Sequence, residues 1–136
     1  MFTLNGFPNL VYHFAENGDL FDYIKVSGAL PLPVFKSYAV QILEAIRALH
    51  TADVCHMDIK LENIVLDSNF DIKLIDLGFA CPVSGNYGSG YSYEFKGTEN
   101  YISPEMYVGK KYSPIVADIF SLGVLLFILY TGVQPF

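Results

Sequence analysis

Apolar positions at steps of three and four mark the clearest element of the chain. Phe35, Tyr38, Ala39, Ile42, Leu43, Ile46 and Leu49 fall on one side of a helix predicted over 34–52, while Lys36, Ser37, Gln41, Glu44 and Arg47 fall largely on the other. The apolar run Leu-Val-Tyr-His-Phe at 10–14 predicts a short buried strand. Asn17-Gly18 then breaks the chain. Asp19 is placed to cap a helix reaching about residue 27, its carboxylate accepting orphan backbone N–H groups. Two β-rich runs, 63–66 and 72–75, flank Asp67-Ser68-Asn69 and predict a hairpin. The stretch 81–96 is rich in Gly, Ser and Tyr without a period and reads as a long functional or mobile loop. Ser103-Pro104-Glu105 opens a short helix. The segment 117–131 is apolar almost all round and ends at Gly132 and Pro135, a core helix. The order of elements gives an α+β fold that is mainly helical, with one short hairpin.

Composition sharpens this picture. The 136 residues are 52% hydrophobic, with 11 Phe and 10 Tyr, above the roughly 45–50% of an average soluble domain. Such an excess points to faces that another segment covers, or to a membrane. The richest stretch, 119–130, is shorter than the roughly 17–25 residues of a bilayer span, so no membrane span is expected. The first twenty residues carry no basic start followed by an apolar run, hence no secretory signal. Net charge is −6 with no basic patch, which disfavours nucleic acid as a partner. The two cysteines, Cys55 and Cys81, have neither metal-site spacing nor a disulfide framework, and a reducing, cytoplasmic compartment is the default.

Chemistry concentrates in His56-Met57-Asp58-Ile59-Lys60-Leu61-Glu62-Asn63, which joins the end of a helix to the first strand of the hairpin. An acid, an amine and an amide share a loop held at both ends by rigid elements, the usual setting for catalytic groups. Asp76-Leu77-Gly78 follows the second strand. A carboxylate there, with glycine freeing the backbone, is suited to holding a metal.

These segments resemble the signature of protein kinases, H-R-D-L-x-x-x-N, D-F-G and A-P-E, here H-M-D-I-K-L-E-N, D-L-G and S-P-E in the same order. Gly97-Thr98-Glu99-Asn100-Tyr101, Asp118-Ile119-Phe120-Ser121-Leu122-Gly123 and the linker-like 15–24 extend the resemblance over nearly the whole chain. It implies a partial kinase-like domain: residues 1–18 as the last small-lobe strand and hinge, residues 19–136 as the first part of the large lobe. It implies the serine/threonine class, from Lys60 and Gly97-Thr98, and ATP with Mg2+ as cofactors. Asp58 would accept or orient the substrate hydroxyl proton. Lys60 would neutralise the transferred phosphoryl group, and Asn63 and Asp76 would hold Mg2+. His13 and Ala15 would offer backbone groups to adenine, with Tyr12 behind it and Val65 beneath. Asp19 would contact the ribose, against its simpler reading as a helix cap. His56 would be structural, packing under Leu77, and Asp118 would anchor the catalytic-loop backbone.

The implied activity is transfer of the ATP γ-phosphoryl group to a hydroxyl of a protein substrate. The alternative is a non-catalytic kinase-like scaffold that binds a partner protein. No G-x-G-x-x-G and no lysine strand precede the linker, so further kinase segments are expected to be needed for stability and activity. Glu105, whose partner in the family is an arginine beyond Phe136, would cost about 3–5 kcal/mol if buried alone. Met57 stands where the family has an arginine that pairs with an activation-loop phosphate. A thioether forms no charge-assisted bond to phosphate, so phosphorylation of Ser92, Tyr93 or Thr98 is not expected to switch the enzyme on.

Overall fold

A computed structural model describes residues 2–136; Met1 lies outside the described residues. The chain opens with a hairpin, β1 (Phe2–Leu4) against β2 (Phe7–Asn9), antiparallel with Leu4 opposite Phe7. Its two-residue turn is Asn5-Gly6, both with positive φ (52° and 81°), the twist that a primed turn requires and that Asn-Gly supplies cheaply. The strand expected at 10–14 is not formed. Those residues belong to no ladder, and Leu10, Val11, Tyr12 and Phe14 are all well exposed. An apolar run becomes a strand only where a partner edge lies beside it, and here the hairpin has already closed.

Helix α1 (Leu20–Ser27) begins as expected at Asp19, whose carboxylate accepts from the Asp22 N–H at 3.0 Å. It turns Leu20 and Ile24 into the core. Helix α2 (Leu32–Thr51) starts two residues earlier than its periodicity suggested, because Pro33 sits in the first turn, where its missing N–H removes no bond. Ile42 and Ile46 are its buried ridge, and Gln41 Oε1 accepts from the Ile72 N–H at 3.0 Å, fixing the hairpin onto the helix.

The expected hairpin is β4 (Ile64–Leu66) and β5 (Ile72–Leu74), antiparallel with Val65 opposite Lys73. Asp67 closes its turn by accepting from the Asn69 and Asp71 N–H groups at 2.9 and 3.0 Å, an Asx-type turn. Two shorter strands, β3 (Val54–Cys55) and β6 (Cys81–Pro82), pair antiparallel and place Cys55 opposite Cys81. Residues 81–96 therefore hold more order than their composition suggested, with a 3-10 turn at Asn86–Gly88 and a bridge from Ser92 to Tyr112.

After the short α3 (Pro104–Tyr107) comes α4 (Pro114–Thr131), three residues longer at its start than expected and closed by Gly132 in the left-handed conformation. By length and composition α4 could cross a membrane, yet half of it is buried inside the protein and Asp118 lies in its first turns. Leu20, Ile42, Ile46, Ile59, Ile64, Leu66, Leu125 and Leu129 form the fully buried centre. A second cluster gathers Cys55, Met57, Ile102, Met106, Tyr112 and Ala117. The chemistry-bearing loop runs between these two cores. Glu105 is exposed, so the burial cost expected for it does not arise.

Candidate active site

The loop 56–63 has little secondary structure, and side chains fix it instead. Asp118, 1% exposed, points from α4 into its base. Its Oδ2 accepts from the His56 N–H and from His50 Nε2, each at 2.8 Å, and its Oδ1 accepts from the Met57 N–H at 2.8 Å. A buried carboxylate is tolerated because three donors converge on it. The same bonds hold Met57 at φ 67°, a left-handed conformation that a residue with a Cβ adopts only when its surroundings insist.

His56 is fully buried. Its Nδ1 accepts from the Asp58 N–H at 3.2 Å, which leaves Nε2 to donate to the Ile75 carbonyl at 2.9 Å. That assigns the tautomer from the network and makes His56 structural, as expected. Its partner, however, is the Ile75 backbone, and Leu77, the expected neighbour, is 53% exposed. The Ile75 N–H also donates to the Asn63 carbonyl at 3.0 Å. The loop bearing Asp58 and the strand end bearing Asp76 are thus tied together through backbone on both sides of Ile75.

Asp58, Lys60 and Asn63 come together. Lys60 Nζ lies 2.8 Å from Asp58 Oδ2, and Asn63 Nδ2 donates to that oxygen at 3.1 Å and to the Asp58 carbonyl at 2.8 Å. A fourth member was not counted among the expected site residues. The Thr98 hydroxyl donates to Asp58 Oδ1 at 2.7 Å and receives Lys60 Nζ at 2.9 Å. Its signal lay in the Gly97-Thr98 pair. Gly97 has φ 93°, and a Cβ on it would fall 2.6 Å from the Met57 carbonyl oxygen, so only glycine lets Thr98 approach this closely. Burial pushes the Asp58 carboxyl up, but Lys60 and Thr98, with Asn63, outweigh it and hold the group below the usual carboxylate value.

Asp76 is exposed, with φ 64°, and its Oδ1 accepts from the Gly78 N–H at 3.0 Å. Asn63 commits its amide N–H group to Asp58, which leaves its side-chain oxygen as the atom that could hold a cation. Oxygen donors of this kind suit a hard divalent cation such as Mg2+. Asp19 and Val65, expected at the ribose and adenine, are brought side by side by a bridge. The Asn17 and Leu66 N–H groups bond the opposite backbone at 3.0 and 2.8 Å. Tyr12 and His13 are exposed and Ala15 is half-buried on the segment leading in. Asp19 spends one carboxylate oxygen on its helix.

The protein kinase domain family matches residues 1–136. This chain belongs to the protein kinase domain family. Relatives of this kinase domain include testis-specific serine/threonine-protein kinase 2 of Mus musculus, 39% identical over 136 residues, covering 98% of this chain and 38% of that protein. The cAMP-dependent protein kinase type 3 of Saccharomyces cerevisiae is 39% identical over 127 residues, covering 93% and 30%. CBL-interacting protein kinase 30 of Oryza sativa subsp. japonica is 36% identical over 126 residues, covering 93% and 26%. The kinase domain described here therefore spans between about a quarter and two fifths of these proteins' lengths.

In this kinase domain Met57 does not face solvent. It is 5% exposed and packs in the second core. Ser92 is 4% exposed, with its hydroxyl bonded to the Glu94 N–H at 3.2 Å, and Thr98 is committed to Asp58. Of the three hydroxyls at which phosphorylation is not expected to act as a switch, only Tyr93, 66% exposed, is open.

Proposed function

We propose that this chain carries the phosphoryl-transfer loop of a serine/threonine protein kinase, which moves the γ-phosphoryl group of ATP to a Ser or Thr hydroxyl of a protein. The observation that carries the reading is the partly buried network of Asp58, Lys60, Asn63 and Thr98. Phosphoryl transfer asks little covalent chemistry of a protein; it asks for positioning and charge stabilisation. Asp58, kept ionised, accepts the hydrogen bond of the incoming hydroxyl and orients it. Lys60, anchored on Asp58 and Thr98, offers positive charge to the phosphoryl oxygens. Asn63 and Asp76 are the residues that would hold Mg2+, which supplies neutralisation of the triphosphate when bound. Asp19 and Val65 would hold the ribose and adenine, with Tyr12, His13 and Ala15 contributing from the linker. We assign residues 2–18 to the hinge side of the nucleotide and residues 19–136 to the large-lobe side, and place the protein in a reducing, cytoplasmic compartment.

Because Met57 is apolar and buried, loop order does not depend on a phosphate–arginine pair. Thermal unfolding with and without Mg-ATP tests the reading. A rise in Tm that needs both Mg2+ and ATP, and that Asp76→Asn removes, is expected. No shift with either ligand overturns nucleotide use and leaves a non-catalytic scaffold.

A further inference from the structure

We propose that Cys55 and Cys81 form an intramolecular disulfide, a redox-responsive staple between the strand entering the catalytic loop and the strand opening the activation segment. The two residues are far apart in sequence, and only the fold brings them face to face, as direct partners in the β3–β6 ladder. The ladder's phase sets the spacing. The Val83 N–H donates to the Asp53 carbonyl at 3.2 Å, so positions 53 and 83 are a hydrogen-bonded pair. Alternation makes 54 and 82 a non-bonded pair, where Pro82 loses nothing by lacking an N–H. Cys55 and Cys81 are then the next bonded pair, with Cα atoms about 5.5 Å apart. That lies inside the roughly 4.4–6.8 Å that disulfides span. The Cβ atoms of a bonded pair stand near the upper end of about 4.5–5.5 Å, so closure draws the two short strands together by roughly 1 Å to reach the ~3.5–4.5 Å that the bond requires. Directly opposed residues point to one face of a sheet, and both cysteines border the same apolar cluster.

Exposure sets the order of events. Cys55 is fully buried and Cys81 is half-buried. The Cys81 thiolate attacks a low-molecular-weight disulfide such as glutathione disulfide, forming a mixed disulfide and releasing one glutathione thiolate. The Cys55 thiolate then attacks the Cys81 sulfur and releases the second glutathione. Two protein thiols are oxidised, one glutathione disulfide is reduced to two thiols, and both protein protons end on glutathione. Burial raises both thiols, Cys55 to about 12, so exchange is slow at neutral pH and quickens as pH rises. The bond would join the root of the loop bearing Asp58 to the segment just beyond Asp76, and its formation does not depend on what those residues do.

The test is to incubate the protein with excess glutathione disulfide at pH 7 and pH 8, alkylate, digest and map by mass spectrometry. The expected product is one peptide pair linking Cys55 to Cys81, forming faster at pH 8. C81S should lose the link and leave Cys55 unmodified. C55S should lose the link and accumulate glutathione on Cys81; C55A, which suits the buried site, repeats this if circular dichroism shows C55S unfolded. Links only between copies, glutathione on Cys81 of the unsubstituted protein without closure, or no reaction at either cysteine would each overturn the proposal.

Discussion

Two segments without α-helix or β-strand meet around the candidate site, and they differ in what holds them. The loop 56–63 is anchored at every turn: Asp118 takes two of its backbone N–H groups, His56 bridges it to Ile75, and Asn63 closes it on Asp58. The linker 10–15 has exposed side chains over most of its length, and among the described residues its backbone makes no ladder bond. Both are loops, yet one is as determined as a helix. Backbone that cannot bond to itself is fixed when buried side chains supply the partners, and it is left open when they do not. The fixed loop carries the groups we propose for phosphoryl transfer, and the open one is left to other partners.

Substitution should separate the two segments by a graded series. Asp118→Ala leaves the His56 and Met57 N–H groups buried without an acceptor and should cost about 3–5 kcal/mol, on the scale of breaking a buried charged pair. Chemical denaturation would show this as a lowered midpoint; a change under 1 kcal/mol would mean that Asp118 does not anchor the loop. Asn63→Ala removes two bonds to Asp58 and should cost about 1–3 kcal/mol. Asp19→Ala, which removes a cap at the boundary between the segments, should cost about 0.5–2 kcal/mol. Tyr12→Ala in the linker should stay within about 0.5 kcal/mol. A linker substitution as costly as Asn63→Ala would erase the distinction.

The pH dependence carries the same contrast. Asp58 is held below its usual value of 3.8. Its folded value is depressed, so its contribution is present above pH 3.8 and is lost as pH falls from there through the lower folded value. At the other extreme, burial raises Cys55 from 9.0 and Tyr101 from 10.0, each to about 12. Their folded values are raised, so the stability tied to their neutral forms is full below pH 9 and is lost as pH rises toward 12. Equilibrium unfolding across both limbs should show both losses, and Asp58→Asn should flatten the acid limb. An acid limb unchanged in Asp58→Asn would mean that its pairing contributes nothing to the fold.

Where local chemistry decides structure, the sequence was readable. Asp19 capping α1, the Asp67 turn and the ridge of α2 all follow from residues within a few positions of one another. The Asn5-Gly6 hairpin is equally local, whereas the apolar run at 10–14 has no partner edge and forms no strand. The β3–β6 ladder could not be read in this way. Two residues per strand carry no period, and their pairing depends on the whole catalytic loop folding between them. Of the site, Asp58, Lys60 and Asn63 were legible because they share one loop. Thr98 joins them from 38 residues beyond Lys60, and what permits it is a positive φ at Gly97 that spacing alone does not display.

The central claim is that Asp58 orients a substrate hydroxyl for phosphoryl transfer. The most direct measurement is steady-state transfer from Mg-ATP to a serine-containing protein substrate by a protein carrying this chain, with Asp58→Asn compared at matched folded content by circular dichroism. The account predicts a fall in kcat of roughly 10²–10⁴-fold, the range for a lost general base, with the KM for ATP little changed. Equal turnover in the two proteins would contradict it.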